Sequence, residues 1–110
     1  MIIKKRIKIP LYFQNLYIIQ TDDFETIHRE YKLKGSVDFA GVTILDDDEI
    51  VVVFRTDVTP SIIAHEALHV CSYVFQGIDA EYDRDNDETL AYLLGWVVEQ
   101  IHKTIKVNGK

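Results

Sequence analysis

The stretch Ile50 to Phe54, IVVVF, constrains the fold more than any other in the chain. Five apolar, mostly β-branched residues run without a polar break, and charge bounds them at Glu49 and Arg55. A strand with one wet face alternates apolar and polar residues, whereas an unbroken run suits a central strand covered on both faces. Other elements must therefore lie above and below it. With 110 residues the chain is long enough for one core and too short for two, so a single domain over 1–110 is expected.

The remaining segments supply those elements. Ile2 to Ile9 mixes isoleucines with Lys4, Lys5, Arg6 and Lys8 and then meets Pro10, which predicts an outer strand. Leu16 to Gln20 follows a turn-like Gln14-Asn15 and can pair back as a hairpin. Thr21-Asp22-Asp23 offers caps for a helix over Asp22 to Leu33, with Phe24, Ile27, Tyr31 and Leu33 on one face, Gly35 as its stop and one side of the sheet to cover. Val37 to Leu45 is a further β-rich run, in which Gly41 marks a bulge or a close approach of another backbone, and Asp46-Asp47-Asp48 follows as a turn.

Thr59-Pro60 opens a helix that Gly77 closes. Ile62, Ile63, Leu68, Val70, Cys71, Val74 and Phe75 spread around much of its circumference, which predicts a largely buried helix. Ile78 to Asp87 reads as a loop. A last helix is predicted from near Asn86 through Leu90, Leu94, Val97 and Ile101 towards Ile105, with Val107 to Lys110 as a frayed tail.

Charge and cysteine usage narrow the function. A net charge of -6 and a pI near 5.1 disfavour binding to a phosphate backbone, so no nucleic-acid partner is expected. The basic residues from Lys4 to Lys8 read first as the solvated face of a strand. The lone Cys71 excludes an internal disulfide and, two residues beyond His69, points away from that histidine as a small core residue. No apolar stretch approaches the ~20 residues of a membrane span, and no signal-peptide pattern opens the chain. A cytoplasmic protein with no membrane partner is the expectation.

Inside the Thr59–Gly77 helix lies His65-Glu66-Ala67-Leu68-His69, an HExxH pattern. Histidines four residues apart on a helix stack on one face, where their imidazoles can converge on one zinc ion. An open tetrahedral site needs a third protein ligand and leaves the fourth position to water, whose pKa zinc lowers to roughly 7. Glu66, next to a ligand, is then placed to take that water's proton as it attacks a peptide carbonyl, and to pass it to the leaving amine. A shuffled chain of this composition shows the pattern with a probability of roughly 0.01.

For the third ligand the candidate is Glu88, at the start of the last helix, with Asp87 as the fallback. Ala91 and Gly95 on the same face would let the two helices pack closely. Asp85 to Glu88 also has the form of a capping box, which would use Glu88 locally instead.

Together, His65-Glu66-xx-His69 and the downstream Glu88 in DETLAY resemble the gluzincin group of zinc metallopeptidases, particularly its small single-domain forms, including those encoded by phages and prophages. The resemblance covers about Thr59 to Ile101. It implies an α+β, zincin-like domain: a sheet of three or four strands, mostly antiparallel or mixed, a backing helix, the HExxH helix and a C-terminal glutamate helix. It further implies one zinc ion held by His65, His69 and Glu88, Glu66 as general base, a peptide or protein substrate and, for a phage-encoded form, the host cytoplasm. In such folds the substrate commonly lies along the edge strand beside the active-site helix, for which Val37 to Leu45 is the candidate.

Two features depart from the family pattern. Tyr92 stands where an aspartate four residues after the glutamate ligand often orients a histidine. The usual second subdomain, with its oxyanion-stabilising side chain, is not expected within these 110 residues; Tyr73, Tyr82, Tyr92 and His102 are the candidates for that role. The alternative expectation is a zinc-binding interaction module of the same fold with little or no catalytic power.

Overall fold

The computed structural model describes residues 2–12, 14–35, 40–47 and 49–107. Four strands, β1 (Ile3–Ile9), β2 (Gln14–Gln20), β3 (Gly41–Asp46) and β4 (Glu49–Phe54), form one sheet in the order β1-β2-β4-β3. The β1-β2 and β3-β4 pairs are antiparallel and β2-β4 is parallel, so the sheet is mixed. Three helices complete the α+β domain: α1 (Phe24–Glu30), α2 (Pro60–Gly77) and α3 (Glu88–Thr104). A single 3-10 turn, Arg84–Asn86, interrupts the loop between the last two.

The IVVVF run is central and covered on both faces, as its composition demands. Because side chains alternate along a strand, Ile50, Val52 and Phe54 join Leu16 and Ile18 under α2 and α3, while Val51 and Val53 join Tyr17, Ile19, Phe24 and Ile27 under α1. All five residues from Ile50 to Phe54 are fully buried. β1 is an edge, as expected. There the Arg6 guanidinium lies 3.8 Å from the centre of the Tyr17 ring and donates to Glu49 at 2.8 Å.

Several boundaries differ from the sequence reading. Gln14 and Asn15 are not the hairpin turn; they extend β2 and pair with Ile9 and Lys8, and the chain turns at Pro10–Tyr12. Helix α1 is shorter than predicted, starting at Phe24 with Asp23 as cap and ending at Glu30. Lys32 adopts a left-handed conformation, φ 53°, and the Leu33 amide turns back to the His28 carbonyl. At the head of α1 the Thr26 hydroxyl and amide hold the Asp23 carboxyl below its usual range. The same pair of groups on Thr56 does so for Asp22, tying the end of β2 to the segment after β4. Of the predicted Val37 to Leu45 run, the part before Ala40 lies outside the described residues, as does Asp48 of the following turn.

The other face of the prediction for α3 is corrected as well. Leu93, Val97 and Ile101 are its buried residues, which turns Glu88, Ala91, Tyr92 and Gly95 to the opposite side. A Cβ on Gly95 would meet nothing within 4 Å, so the small residues do not serve close packing. After α3 the chain does not simply fray. Ile105 is buried, Val107 packs on the main core, and buried Gln20 grips the backbone between them: its amide donates to the Lys106 carbonyl at 2.7 Å and accepts from the Lys106 N–H at 3.0 Å. Residues 108–110 lie outside the described part. No helix among the described residues is long and apolar enough to cross a membrane.

Candidate metal and catalytic site

Helix α2 begins where the sequence predicts, with Thr59 at the N-cap and Pro60 in the first turn, although the Thr59 hydroxyl meets Ser61 rather than a backbone amide. It crosses the sheet next to β3. Ile63, Glu66, Ala67, Val70, Cys71, Val74 and Phe75 face the core, and His65, Leu68 and His69 are left on the exposed side. The expectation of a largely buried helix therefore fails on this side, where Leu68 is half exposed. Gly77 is the last residue of the helix, as predicted. Its missing Cβ makes room for the Gln14 side chain, and Asp79, not Gly77, takes the left-handed conformation, φ 55°.

The two imidazoles converge as their spacing requires. His65 Nε2 and His69 Nε2 stand 3.3 Å apart, with ring centres at 4.9 Å and planes at 77°. Two nitrogens at ~2.0–2.1 Å from one tetrahedral zinc are separated by ~3.3–3.4 Å, so this pair already has the spacing of two ligands of one ion. For a hydrogen bond between rings the same distance is long.

Glu66 sits between this pair and the sheet. Only 7% of the residue is exposed. Its Oε1 accepts from the Thr43 hydroxyl at 2.8 Å, and its Oε2 lies 3.8 Å from His65 Nε2. Thr43 reaches it because β3 presents Gly41, Thr43 and Leu45 to α2 while Val42 and Ile44 face α1. Gly41 is approached closely by side chains, not by another backbone as its position suggested: a Cβ there would lie 3.1 Å from Glu66 Cγ and 3.2 Å from Ile62 Cγ2. Ala40, Gly41, Ser61, Ile62, His65 and Glu66 line one hollow. Among the described residues β3 is an edge of the sheet, paired with β4.

Glu88 is the first residue of α3 and is exposed; Asp87 occupies the cap position without a side-chain cap bond, so the capping box does not form. Among the described residues, no third histidine, cysteine, aspartate or glutamate joins His65 and His69 in a group able to hold a metal. The structure thus brings His65, His69 and Glu66 together and leaves Glu88 apart from them. Of the residues considered for oxyanion support, Tyr82 lines the same hollow as His69, whereas Tyr92 lines a separate one beside Trp96 and is 77% exposed. Cys71 is buried in the core as expected, and burial pushes its thiol up to about 12.

The sequence reading missed Thr43. The signal was present in the two-residue period of β3, which puts Thr43 on the same face as Gly41. No protein-family model matches this chain, and comparison with curated proteins and with solved structures returns no match.

Proposed function

We propose that the protein is a minimal zinc-dependent peptidase of zincin-like fold. The observation that carries the reading is the 3.3 Å separation of His65 Nε2 and His69 Nε2 on an open helix face, with the carboxyl group of Glu66 held beside them by Thr43. His65 and His69 would hold the ion, and the third ligand is assigned on sequence grounds to Glu88, with Asp87 as the alternative. When bound, zinc lowers the pKa of its water to roughly 7 and polarises a carbonyl.

The chain's own residues do the rest. Thr43 fixes one oxygen of Glu66 and so aims the other along the helix face, where it can take a proton from a nucleophile and return it to a leaving amine. The edge of β3 offers backbone groups to an extended peptide passing Glu66, in the manner of an added strand. The near-complete burial of Glu66 strengthens its hydrogen bond to Thr43.

The test is metal content and peptide hydrolysis of wild type and Glu66→Gln. Retained zinc with hydrolysis lowered by about 10²–10⁴ is expected; unchanged hydrolysis would overturn the role of Glu66. The exposed setting of Glu88 favours one second reading, a zinc-binding interaction module with little catalytic power. It predicts zinc binding and loss of stability with chelator, but no hydrolysis of any peptide. Zinc affinities of Glu88→Gln and Asp87→Asn decide the third ligand in either case.

A further inference from the structure

The face of α3 that turns away from the core carries its side chains in a definite order. Glu88, Tyr92, Gly95, Glu99 and Lys103 recur at intervals of three and four residues, so they form one stripe, and all five are exposed. Beside the stripe, the turn at Pro10–Tyr12 and the helix enclose a hollow with a volume near 730 Å³, with Gly95 and Trp96 in its wall. Leu11, also lining it, is 92% exposed although its backbone is left-handed, φ 71°, a conformation that costs a leucine energy. Single exposed apolar residues are ordinary on a protein surface, but Leu11, Tyr92 and Trp96 gather on one concave site that the histidine pair does not line.

We infer that this face is an isologous interface, on which α3 of a second copy of the chain lies antiparallel about a two-fold axis between Gly95 and Trp96. The occupant follows from the order of charge. Glu88 begins the stripe and Lys103 ends it, so a reversed second copy brings each Glu88 opposite Lys103 of the other. In the same register Tyr92 meets Glu99 of the second copy, to which its phenol can donate. Half-buried Trp96 meets Gly95, where a Cβ would have no atom within 4 Å and an indole finds room. The opposed helix dipoles add to the attraction. A stripe complementary to its own reverse is satisfied by a second copy, not by an unrelated surface. One pair of helices flanked by two turns makes an interface of the small, transient class. The contact involves no metal and does not rest on the peptidase reading; Glu88 engaged in it would leave Asp87 as the ligand.

Sedimentation velocity of the full chain from about 1 to about 200 µM, without added metal, tests the assignment. A dimer that grows with concentration is expected, with a blue shift in the emission of Trp96, the one tryptophan of the chain. Glu88→Lys alone sets like charges opposite each other at both ends of the contact, as does Lys103→Glu alone, and each should weaken dimerisation about tenfold or more. An equimolar mixture of these two variants restores opposite charges at both ends and should recover association as a heterodimer. Gly95→Gln fills open space on an exposed helix position, so it should keep or raise the thermal midpoint while abolishing the dimer. All three positions are exposed, and circular dichroism checks that the variants fold. A monomer throughout the concentration range overturns the inference. So does a dimer that survives Gly95→Gln, or a pair of charge variants whose mixture associates no better than either alone.

Discussion

The Thr43 hydroxyl donates to Glu66 Oε1 at 2.8 Å, linking the edge strand to the exposed-face helix through a carboxyl group that is almost fully buried. A buried polar group that loses its partner keeps its desolvation cost, about 1–3 kcal/mol. Thr43→Val, which preserves shape, should therefore lower stability by about that amount in urea denaturation and reduce hydrolysis, whereas Thr43→Ser should restore both. Equal stability of the valine and serine variants would show that the bond carries nothing.

Gly41→Ala is expected to be destabilising although alanine is the stiffer residue. The added methyl would stand 3.1–3.3 Å from Glu66, Ile62 and Phe54, and overpacking of this kind costs ~1–3 kcal/mol. The entropic gain from replacing glycine, ~0.4–1 kcal/mol, offsets only part of it. Denaturation midpoints of the purified variant measure the net sign.

Gln20→Leu should cost about 2–4 kcal/mol, since three hydrogen bonds to the Arg55 carbonyl and the Lys106 backbone disappear inside a fully buried site. Gln20→Glu should be worse. A carboxylate can accept from the Lys106 N–H but cannot donate to either carbonyl, and it brings a charge into the core. Faster hydrogen exchange at the Lys106 amide in both variants is the local readout.

The thiol of Cys71 should resist aromatic disulfide reagents at pH 8 until the chain unfolds, because burial moves it from an ordinary value of 9.0 to about 12. Between those two values the unfolded chain loses the thiol proton and the native state keeps it. Stability therefore falls as pH rises through that window. Cys71→Ala should flatten this alkaline decline in urea titrations at pH 8 and pH 10.5.

What the sequence revealed follows the kind of signal each residue carries. The central strand was legible because no polar residue interrupts Ile50 to Phe54, and the start of α2 because Thr59-Pro60 acts locally. The β2 boundary was missed because Gln14 and Asn15 have turn-like side chains, while their backbones are claimed by Ile9 and Lys8 across the hairpin. On α3, the small residues Ala91 and Gly95 suggested a contact face, but the larger Leu93, Val97 and Ile101 decide which side is buried. The paired histidines could be read from spacing alone. The period of β3 puts Thr43 on the face of Gly41, but its bond to Glu66 depends on how β3 packs against α2, which no local pattern encodes.

The Gln20 clamp also sets an order of events during synthesis. Gln20 leaves the ribosome early, and the backbone it must hold, at Lys106, is made 86 residues later. Until then a carboxamide destined for the interior has neither of its Lys106 partners. A chain stalled before Lys106 lacks the backbone that both accepts from and donates to this carboxamide.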